Sequence, residues 1–242
     1  MKLQEILDLD TIFNDYDQNL NNDSDRIPDG KFHPSSFGGC SRKLYYAYHR
    51  TAPQNNISPG LRRTFNHGTV VHDWIQEKLI KAVGVSPINN PNLCISVHNE
   101  VKINDYQWSI DHNVSGSIDA VFTFEQPIGD FQAGDKVVYE LKTSASKTWD
   151  SLKSPIHKHV LQANAYAAAI GAKWIIYDYY NKDKDVHKRF YLPADEQVQQ
   201  QISNELYNIM LACTSGQEVA RQPSTWECSS CPYAYVCKPE DE

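Results

Sequence analysis

The sequence contains no long hydrophobic run, no repeat and no long low-complexity tract. No apolar stretch approaches the ~20 residues that a membrane-spanning helix needs. Residues 1–10 lack the basic-then-apolar pattern of a signal peptide. We therefore expect a cytoplasmic protein that does not bind a membrane. Positive charge is also in deficit, with 23 Lys and Arg against 30 Asp and Glu. This balance excludes a general polyanion-coating protein, although a local basic groove or a bound metal could still contact nucleic acid.

Cysteine is sparse, at six in 242 residues, which is too few for a disulfide-stapled miniprotein. Three cysteines nevertheless crowd near the C-terminus with C-x2-C-x5-C spacing, namely Cys228, Cys231 and Cys237. Thiolates at this spacing can bind one metal centre, and the vacancy they leave requires a fourth ligand, for which Cys40 is the candidate. Such a site would join the two ends of the chain. Zinc and an iron–sulfur cluster both accept four thiolates, so the residues alone leave the metal open.

The pattern of apolar residues predicts an α/β fold with a central mixed β-sheet flanked by helices. Helices are predicted at about 3–13, 62–83, 156–170 and 194–212, with an aromatic helix inside 34–50. Extended segments are predicted at 93–103, 107–112, 114–124, 136–143, 173–181 and 186–192. The predicted units are an N-terminal helix and polar loop (1–33), a core (34–222) and a small C-terminal cysteine-rich metal-cluster lobe (223–242).

Two predicted strands carry charged residues of chemical interest. Asp119 lies in one, and Glu140 and Lys142 lie two apart in the other, which places them on the same face. If these strands pair, Asp119 approaches Glu140, and two buried carboxylates are costly unless a cation holds them together. Oxygen ligands suit Mg²⁺ or Mn²⁺, and Lys142 could orient or deprotonate a water or stabilise charge on a phosphate. The alternative is a solvated strand edge with a chance ion pair.

Residues on neighbouring elements could complete this site. His72 lies on the preceding helix and could supply a nitrogen ligand, although such a histidine is more often a core or surface residue. Gln162 and Tyr166 lie four apart on the following helix and therefore share one face; each could equally be an ordinary surface residue. Glu100 precedes the Asp119 strand and is expected to be a solvated strand residue, with a second metal ligand as the alternative.

The ordered set of motifs resembles the RecB-like branch of the PD-(D/E)xK nuclease superfamily, in the segments His72, Gly116-Ser117-Ile118-Asp119, Glu140-Leu141-Lys142 and Gln162-x-x-x-Tyr166. The resemblance covers roughly residues 36–238 and implies a restriction-endonuclease-like core. In that family the His, Asp and Glu bind a divalent metal, the Lys assists the nucleophilic water, and the Gln and Tyr complete the site. The implied metal ligands are His72, Asp119 and Glu140, and the implied catalytic residues are Lys142, Glu140, Asp119, Gln162 and Tyr166.

The cysteine arrangement is similar to that of the iron–sulfur nucleases of the same branch, such as AddB-type helicase–nucleases and CRISPR-associated exonucleases. These hold a [4Fe–4S] cluster with one distant upstream cysteine and a C-x2-C-x5-C segment. The resemblance therefore implies a [4Fe–4S] cluster rather than Zn²⁺, with Cys40, Cys228, Cys231 and Cys237 as its ligands.

The expected function is metal-dependent hydrolysis of DNA by an exonuclease that acts on single-stranded ends, in recombination or replication or in CRISPR spacer processing. A channel that stacks bases is predicted along the basic stretch around Arg42, Lys43, Arg62 and Arg63, with a solvated helix face as its alternative. No Walker-type motif is present, so a motor would come from a helicase, integrase or recombination partner. The rival functions are a catalytically idle DNA-binding scaffold and a structure-specific endonuclease.

Overall fold

A computed structural model describes residues 27–54, 58–85, 95–221, 225–229 and 231–237. The helix predicted near residues 3–13 and the first residues of the strand predicted from 93 lie outside this part of the chain. The helices are α1 (Ser41–Tyr48), α2 (Pro59–Val85), α3 (Gln107–Asp111), α4 (Ser146–Ser151), α5 (His157–Ile170), α6 (Glu196–Ser215) and α7 (Thr225–Ser229). The strands are β1 (Ile95–Lys102), β2 (Ser117–Phe124), β3 (Lys136–Ser144), β4 (Trp174–Asn181) and β5 (Val186–Pro193).

The five strands form one mixed sheet in the order β1-β2-β3-β4-β5. Neighbouring strands are antiparallel except β3 and β4, which are parallel. A parallel pair needs a crossover connection, and here α4 and α5 supply it. The prediction of an α/β fold with a mixed sheet flanked by helices is therefore confirmed. None of the helices in the described ranges is long and apolar enough to cross a bilayer.

Helices cover both faces of the sheet. Val138 on β3 belongs to the larger core, which includes Leu161 of α5 and Leu206 of α6. The next residue, Tyr139, belongs to a second core that includes Ile75 of α2. Because successive strand residues point to opposite faces, β3 is buried between α5 on one side and α2 on the other. This double burial is the reason that the centre of β3, Val137–Leu141, is a nearly continuous apolar run that only Glu140 interrupts.

Local signals in the sequence determine where the long helices begin and end. The Asp195 carboxylate accepts the backbone N–H groups of Gln197 and Val198 at 2.9 and 3.2 Å, which caps the first turn of α6. Gly171 and Gly216 follow α5 and α6 in the left-handed conformation, with φ of 67° and 70°. Such glycines end helices because they adopt positive φ without steric cost.

The prediction of an extended segment at 107–112 is wrong, because residues 107–111 form the short helix α3. A helix is favoured here by local side-chain pairs four residues apart. Gln107 Nε2 donates to Asp111 Oδ1 at 2.7 Å, and the Trp108 ring stacks on His112 at 4.5 Å between centroids. The helix α4 was not predicted at all.

The C-terminal segment packs against the chain that follows α1. Gln54 N donates to the Pro232 carbonyl oxygen at 2.8 Å, and the rings of Tyr46 and Tyr233 lie 5.5 Å apart. Tyr235 Oη donates to the carbonyl oxygen of Ala52 at 2.6 Å. Two distant parts of the sequence are therefore in contact here. The division into units 1–33, 34–222 and 223–242 stays a prediction.

Candidate active site

The site lies where the pairing of β2 with β3 stops. The last pair of the ladder joins Ala120 to Tyr139, so the next step along the same register places Asp119 beside Glu140. Asp119 Oδ2 accepts the backbone N–H of Leu141 at 2.7 Å. The side chain of Asp119 thus binds β3 directly, and the two carboxylates adjoin as the sequence predicts.

Glu100 stands opposite Asp119 on the other side of β2. In the β1–β2 register, Asn99 pairs with Ala120 and Val101 with Ile118, and Glu100 between them has a φ of 51°. A non-glycine residue in this region is strained by about 1–3 kcal/mol, and such strain clusters at functional sites. The carboxylate of Glu100 is anchored in this position, since it accepts hydrogen bonds from Gln76 Nε2 at 2.8 Å and Ser117 Oγ at 2.6 Å.

His72 on α2 completes a group of metal-ligand atoms. His72 Nε2 lies 3.1 Å from Asp119 Oδ2, and one ligand atom from each of His72, Glu100 and Asp119 lies within 4.8 Å of the other two. Within the described ranges this is the one group of three His, Cys, Asp or Glu residues that could hold a metal ion in this way. Glu100 is solvent-exposed, as the sequence led us to expect, and its carboxylate also lies with the potential ligand atoms, which was the alternative.

Glu140 and Lys142 form an ion pair next to this group. Glu140 is fully buried, and Lys142 Nζ lies 2.5 Å from its Oε1 atom. Apart from this ion pair, neither oxygen of Glu140 has a hydrogen-bond donor among the described residues. Burial raises the pKa of Glu140 to about 7, and the nearby negative charge of Asp119 adds to the rise. A buried carboxylate in this state is a natural partner for a cation.

The two basic side chains of the site respond to the same carboxylates. Burial alone would lower the pKa of His72, but the hydrogen bond to Asp119 and the negative charges of Asp119 and Glu140 together outweigh burial and raise it. Burial would likewise lower the pKa of Lys142, but the charges of Glu140 and Asp119 raise it. Lys142 is therefore a stable cation that can donate hydrogen bonds rather than a base.

Gln162 and Tyr166 lie on α5 as predicted, and both are buried. Gln162 Nε2 donates to Tyr166 Oη at 3.4 Å. The tyrosine ring reaches the start of β2 because residue 116 is glycine: a Cβ there would lie 3.2 Å from Tyr166 Cε1 and 3.2 Å from Pro34 Cδ. The charge of Glu140 is among the causes, after burial, that raise the pKa of Tyr166, so α5 presents these side chains to the same region as Glu140.

Comparison with known proteins identifies the family of this arrangement. The model of the PD-(D/E)XK nuclease superfamily matches residues 90–238, which is more than half of the chain. The chain belongs to the PD-(D/E)XK nuclease superfamily. Nucleases of this superfamily use divalent metals, and His72, Glu100 and Asp119 form a possible site for such a metal.

Three solved structures are similar to this chain at low sequence identity. The alkaline exonuclease LHK-Exo from Laribacter hongkongensis has a TM-score of 0.51 and 14% identity over 81% of this chain and 94% of its own. The same enzyme in complex with dAMP has a TM-score of 0.49 and 15% identity over 77% and 89%. The crystal structure of SSO0001 gives 0.48 and 15% over 97% and 98%. No curated protein matches the sequence.

The four predicted cluster cysteines of the nuclease line one cavity of about 180 Å³. Basic residues surround it: Arg42 Nη1 lies 3.7 Å from Cys237 Sγ, and Arg221 Nη2 lies 3.6 Å from Cys228 Sγ. Lys43 also lines the cavity and forms an ion pair with Glu227 at 3.6 Å. The structure therefore brings together one upstream and three downstream cysteines, namely Cys40, Cys228, Cys231 and Cys237.

This position does not fit the prediction that Arg42 lines a DNA channel. Arg42 is 6% exposed, and its Nε atom donates to the Val219 carbonyl oxygen at 2.7 Å. Lys43 faces the same cysteine cavity. Arg62 and Arg63 lie instead on the first turns of α2, where Arg63 is exposed, and their role in DNA binding stays a prediction. The neighbouring Phe65 is 54% exposed.

Sequence reasoning missed two residues that the structure brings to the site. Gln76 is buried and donates from Nε2 both to Glu100 Oε1 and to the Asp119 carbonyl oxygen, at 2.8 and 3.0 Å. His159 lies three residues before Gln162 on α5, and the charge of Lys142 influences its pKa. Helical spacing is the signal that could have found them, since Gln76 follows His72 by four positions and His159 precedes Gln162 by three.

The buried carboxylate of Glu140 predicts a specific dependence of stability on pH. A carboxyl whose pKa rises on folding binds more protons in the folded state between pH 4.5 and about 7, so its contribution to stability falls as the pH rises through this window. In metal-free protein, the thermal midpoint of Glu140→Gln minus that of the wild type is therefore expected to increase as the pH rises from 4.5 to about 7. Thermal unfolding in EDTA measures the difference, and a constant difference would contradict the prediction.

Proposed function

We propose that this nuclease is a divalent-metal-dependent DNA exonuclease that degrades single-stranded DNA from an end. The observation that carries the proposal is the convergence of His72, Glu100 and Asp119 next to the buried Glu140–Lys142 ion pair. A lysine beside buried carboxylates and an imidazole is an arrangement suited to phosphodiester hydrolysis, because the attacking water and the phosphate both carry or develop negative charge.

Each residue of the site has its own role in the proposed hydrolysis. His72, Glu100 and Asp119 would hold a Mg²⁺ or Mn²⁺ ion, with Glu140 as a further ligand, and the bound cation would polarise the phosphate and acidify a water. Lys142 would hold the attacking water and the phosphate oxygens by hydrogen bonds, since its raised pKa keeps it protonated. Gln162 and Tyr166 would complete the site; for example, the phenol could contact a phosphate. The water oxygen would attack phosphorus and pass its proton to solvent, and the bond to the leaving oxygen would break as that oxygen takes up a proton from solvent.

The proposal of a single-stranded substrate is supported by the first turns of α2. Leu61 and Phe65 are 45% and 54% exposed and precede His72 by eleven and seven residues, so all three lie on similar sides of the helix. Arg62 and Arg63 adjoin them in the sequence. An exposed aromatic ring beside basic side chains can stack a base and bind the backbone of a single strand, and this surface lies on the same helix as a metal ligand.

An assay with linear and circular single-stranded DNA tests the proposed function. In Mg²⁺ or Mn²⁺ the wild-type protein is expected to degrade end-labelled linear strands and to leave the circle intact, because an exonuclease requires an end. EDTA is expected to stop the reaction, since the carboxylates and His72 would then lack their cation.

Other outcomes of this assay favour the rival functions. Cleavage of the circle would show an endonuclease, and binding without cleavage in either metal would show a catalytically idle DNA-binding scaffold. Faster cleavage of linear double strands than of single strands would remove the preference for single strands. The matched control is Lys142→Met, which keeps the size of the side chain and removes its charge.

We further propose that the four cysteines of the cavity hold a [4Fe–4S] cluster. The residues present fit such a group, because Cys40, Cys228, Cys231 and Cys237 line one cavity and Arg42 and Arg221 contact two of the sulfurs. Four thiolates around a single Zn²⁺ would lie about 3.8 Å apart, given a Zn–S bond of about 2.3 Å. No three of the described cysteines come within 4.8 Å of one another, and this wider spacing favours a cluster over one zinc ion.

The cluster would stabilise the contact between the two ends of the described chain. The pathway in which the nuclease acts is proposed to be recombination, replication or CRISPR spacer processing. The sequence has no Walker-type motif, so a helicase, integrase or recombination protein would supply any motor or integration step.

A further inference from the structure

His159 on α5 has an unusual hydrogen-bonding environment. His159, Gln162 and Tyr166 occupy positions i, i+3 and i+7, which form one stripe along the helix. Tyr179 on β4 pairs in the parallel register with Lys142 on β3. The stripe and these two strand residues therefore face the same space between α5 and the sheet.

The hydrogen bonds of Tyr179 determine which nitrogen of His159 carries the proton. Tyr179 Oη accepts the backbone N–H of Ile156 at 2.9 Å and lies 2.8 Å from His159 Nδ1. Tyr179 is 1% exposed, so its hydroxyl proton needs an acceptor within the protein. Among the described residues His159 Nδ1 is the acceptor that Oη reaches. With Nδ1 accepting, a neutral imidazole carries its proton on Nε2.

The surroundings keep this imidazole neutral and attract anions. Burial lowers the pKa of His159 to about 3, and the positive charges of Lys142 and Lys158 lower it further. The same two lysines make the space around His159 favourable for a phosphate. Within the part of the chain that the structure describes, no protein group hydrogen-bonds to Nε2, and the side chain is only half-buried.

We propose that His159 is a substrate-binding residue whose Nε2–H donates a hydrogen bond to a non-bridging oxygen of a DNA phosphate at, or next to, the scissile bond. The inference rests on the proposed nuclease function and adds a residue to it. Tyr179 is a positioning residue, since it orients the imidazole and fixes its tautomer without touching the substrate. His159 thereby complements Lys142: the lysine supplies charge, and the histidine supplies a fixed neutral donor.

Replacing His159 tests the contact directly. A hydrogen bond to a charged group corresponds to about a 10- to 100-fold change in an equilibrium or rate constant, so His159→Ala is expected to lower kcat/KM on single-stranded DNA by that factor. His159→Gln is expected to restore much of the activity, because its amide N–H can reach the position of Nε2. The matched control is His157→Ala, two residues away on the exposed side of α5, which is expected to match the wild type.

Chemically altered DNA separates a phosphate contact from a structural effect. In oligonucleotides with a single methylphosphonate, one non-bridging oxygen is replaced by a methyl group at the scissile phosphate or at one of its neighbours. When the methyl group replaces the phosphate oxygen that His159 contacts, the wild type is expected to lose activity. His159→Ala already lacks this contact, so the same modification is expected to lower its activity only slightly further. Tyr179→Phe is expected to weaken this coupling. Additive losses at every position, or a kcat/KM of His159→Ala within twofold of the wild type, would overturn the inference.

Binding measurements distinguish failure of this inference from failure of the proposed function. Fluorescence anisotropy with single-stranded DNA in Ca²⁺, at fixed salt, reports the contact without cleavage. If the wild type binds DNA but does not cleave it, the exonuclease proposal fails. In that case an unchanged affinity of His159→Ala for DNA overturns the inference as well, whereas a 10-fold lower affinity supports it. If the wild type cleaves and His159→Ala is indistinguishable in both assays, the inference alone fails. A protein that neither binds nor cleaves DNA overturns both.

Discussion

Lys142→Met is expected to lower the rate of DNA cleavage by about 10²- to 10³-fold, the typical cost of removing one preorganised donor to the transition state. Lys142 Nζ lies 2.5 Å from the buried Glu140 carboxylate, and both Glu140 and Asp119 raise its pKa. The methionine side chain keeps the volume and removes the charge, so the water and the phosphate lose their hydrogen-bond donor. Initial rates on end-labelled single strands in Mg²⁺ and in Mn²⁺ measure the effect.

The control for this experiment is Lys81→Met. Lys81 is an exposed lysine on α2 that pairs with Glu77, and its replacement is expected to leave the cleavage rate unchanged. Circular dichroism and thermal unfolding establish that both variants are folded. Cleavage by Lys142→Met at more than half of the wild-type rate would remove this lysine from the mechanism. Full activity of Glu140→Gln would likewise exclude the neighbouring carboxylate.

The second large effect is expected at the cysteine cavity. Protein purified without oxygen is expected to be brown and to contain iron and sulfide, and Cys228→Ser is expected to lose both. The thermal midpoint should fall by more than about 5 °C, since a protein of 150–250 residues loses about 2–4 °C per kcal/mol and metal-site binding energy is also folding energy. The reason is that Cys228 and Cys40 line the same cavity from opposite ends of the sequence.

Cys213→Ala is the matched control for the cluster. Cys213 is a buried thiol of α6 that packs in the larger core, so its replacement is expected to keep the iron and the colour. A colourless wild-type protein with stoichiometric zinc would overturn the iron–sulfur proposal and retain the metal site. If Cys228→Ser and Cys213→Ala lowered the midpoint equally and no metal were present, the four cysteines would not be ligands.

The strand that carries Glu140 and Lys142 could be predicted from the sequence because its pattern is local. Residues 137–141 are apolar except at Glu140, and the structure has a strand over Lys136–Ser144. The approach of Asp119 to Glu140 followed from assuming that two consecutive strands pair, which they do. The extended segment predicted at residues 107–112 is a helix, because the sequence pattern alone does not distinguish a short strand from a helix that is stabilised by its own i, i+4 contacts.

The remaining features depend on three-dimensional contacts that no local pattern encodes. The left-handed backbone of Glu100 and its hydrogen bond from Gln76 require α2 to pack beside β1. Arg42 belongs to a basic stretch of the sequence, but the fold buries it against Val219 and the cysteines. The tautomer of His159 depends on a tyrosine twenty residues away. In each case a distant partner determines what the side chain does.

Asp119 makes two contacts at once, which connect the candidate ligand group to the sheet. Its Oδ2 atom accepts the amide of Leu141 and also contacts His72, so replacing it disturbs the edge of β3 as well as the ligand group. Glu140 and Lys142, by contrast, contact each other in an ion pair. In relatives that have lost nuclease activity, we therefore expect Glu140 and Lys142 to be replaced first. Asp119 should be kept longer, because the structure of the sheet depends on it.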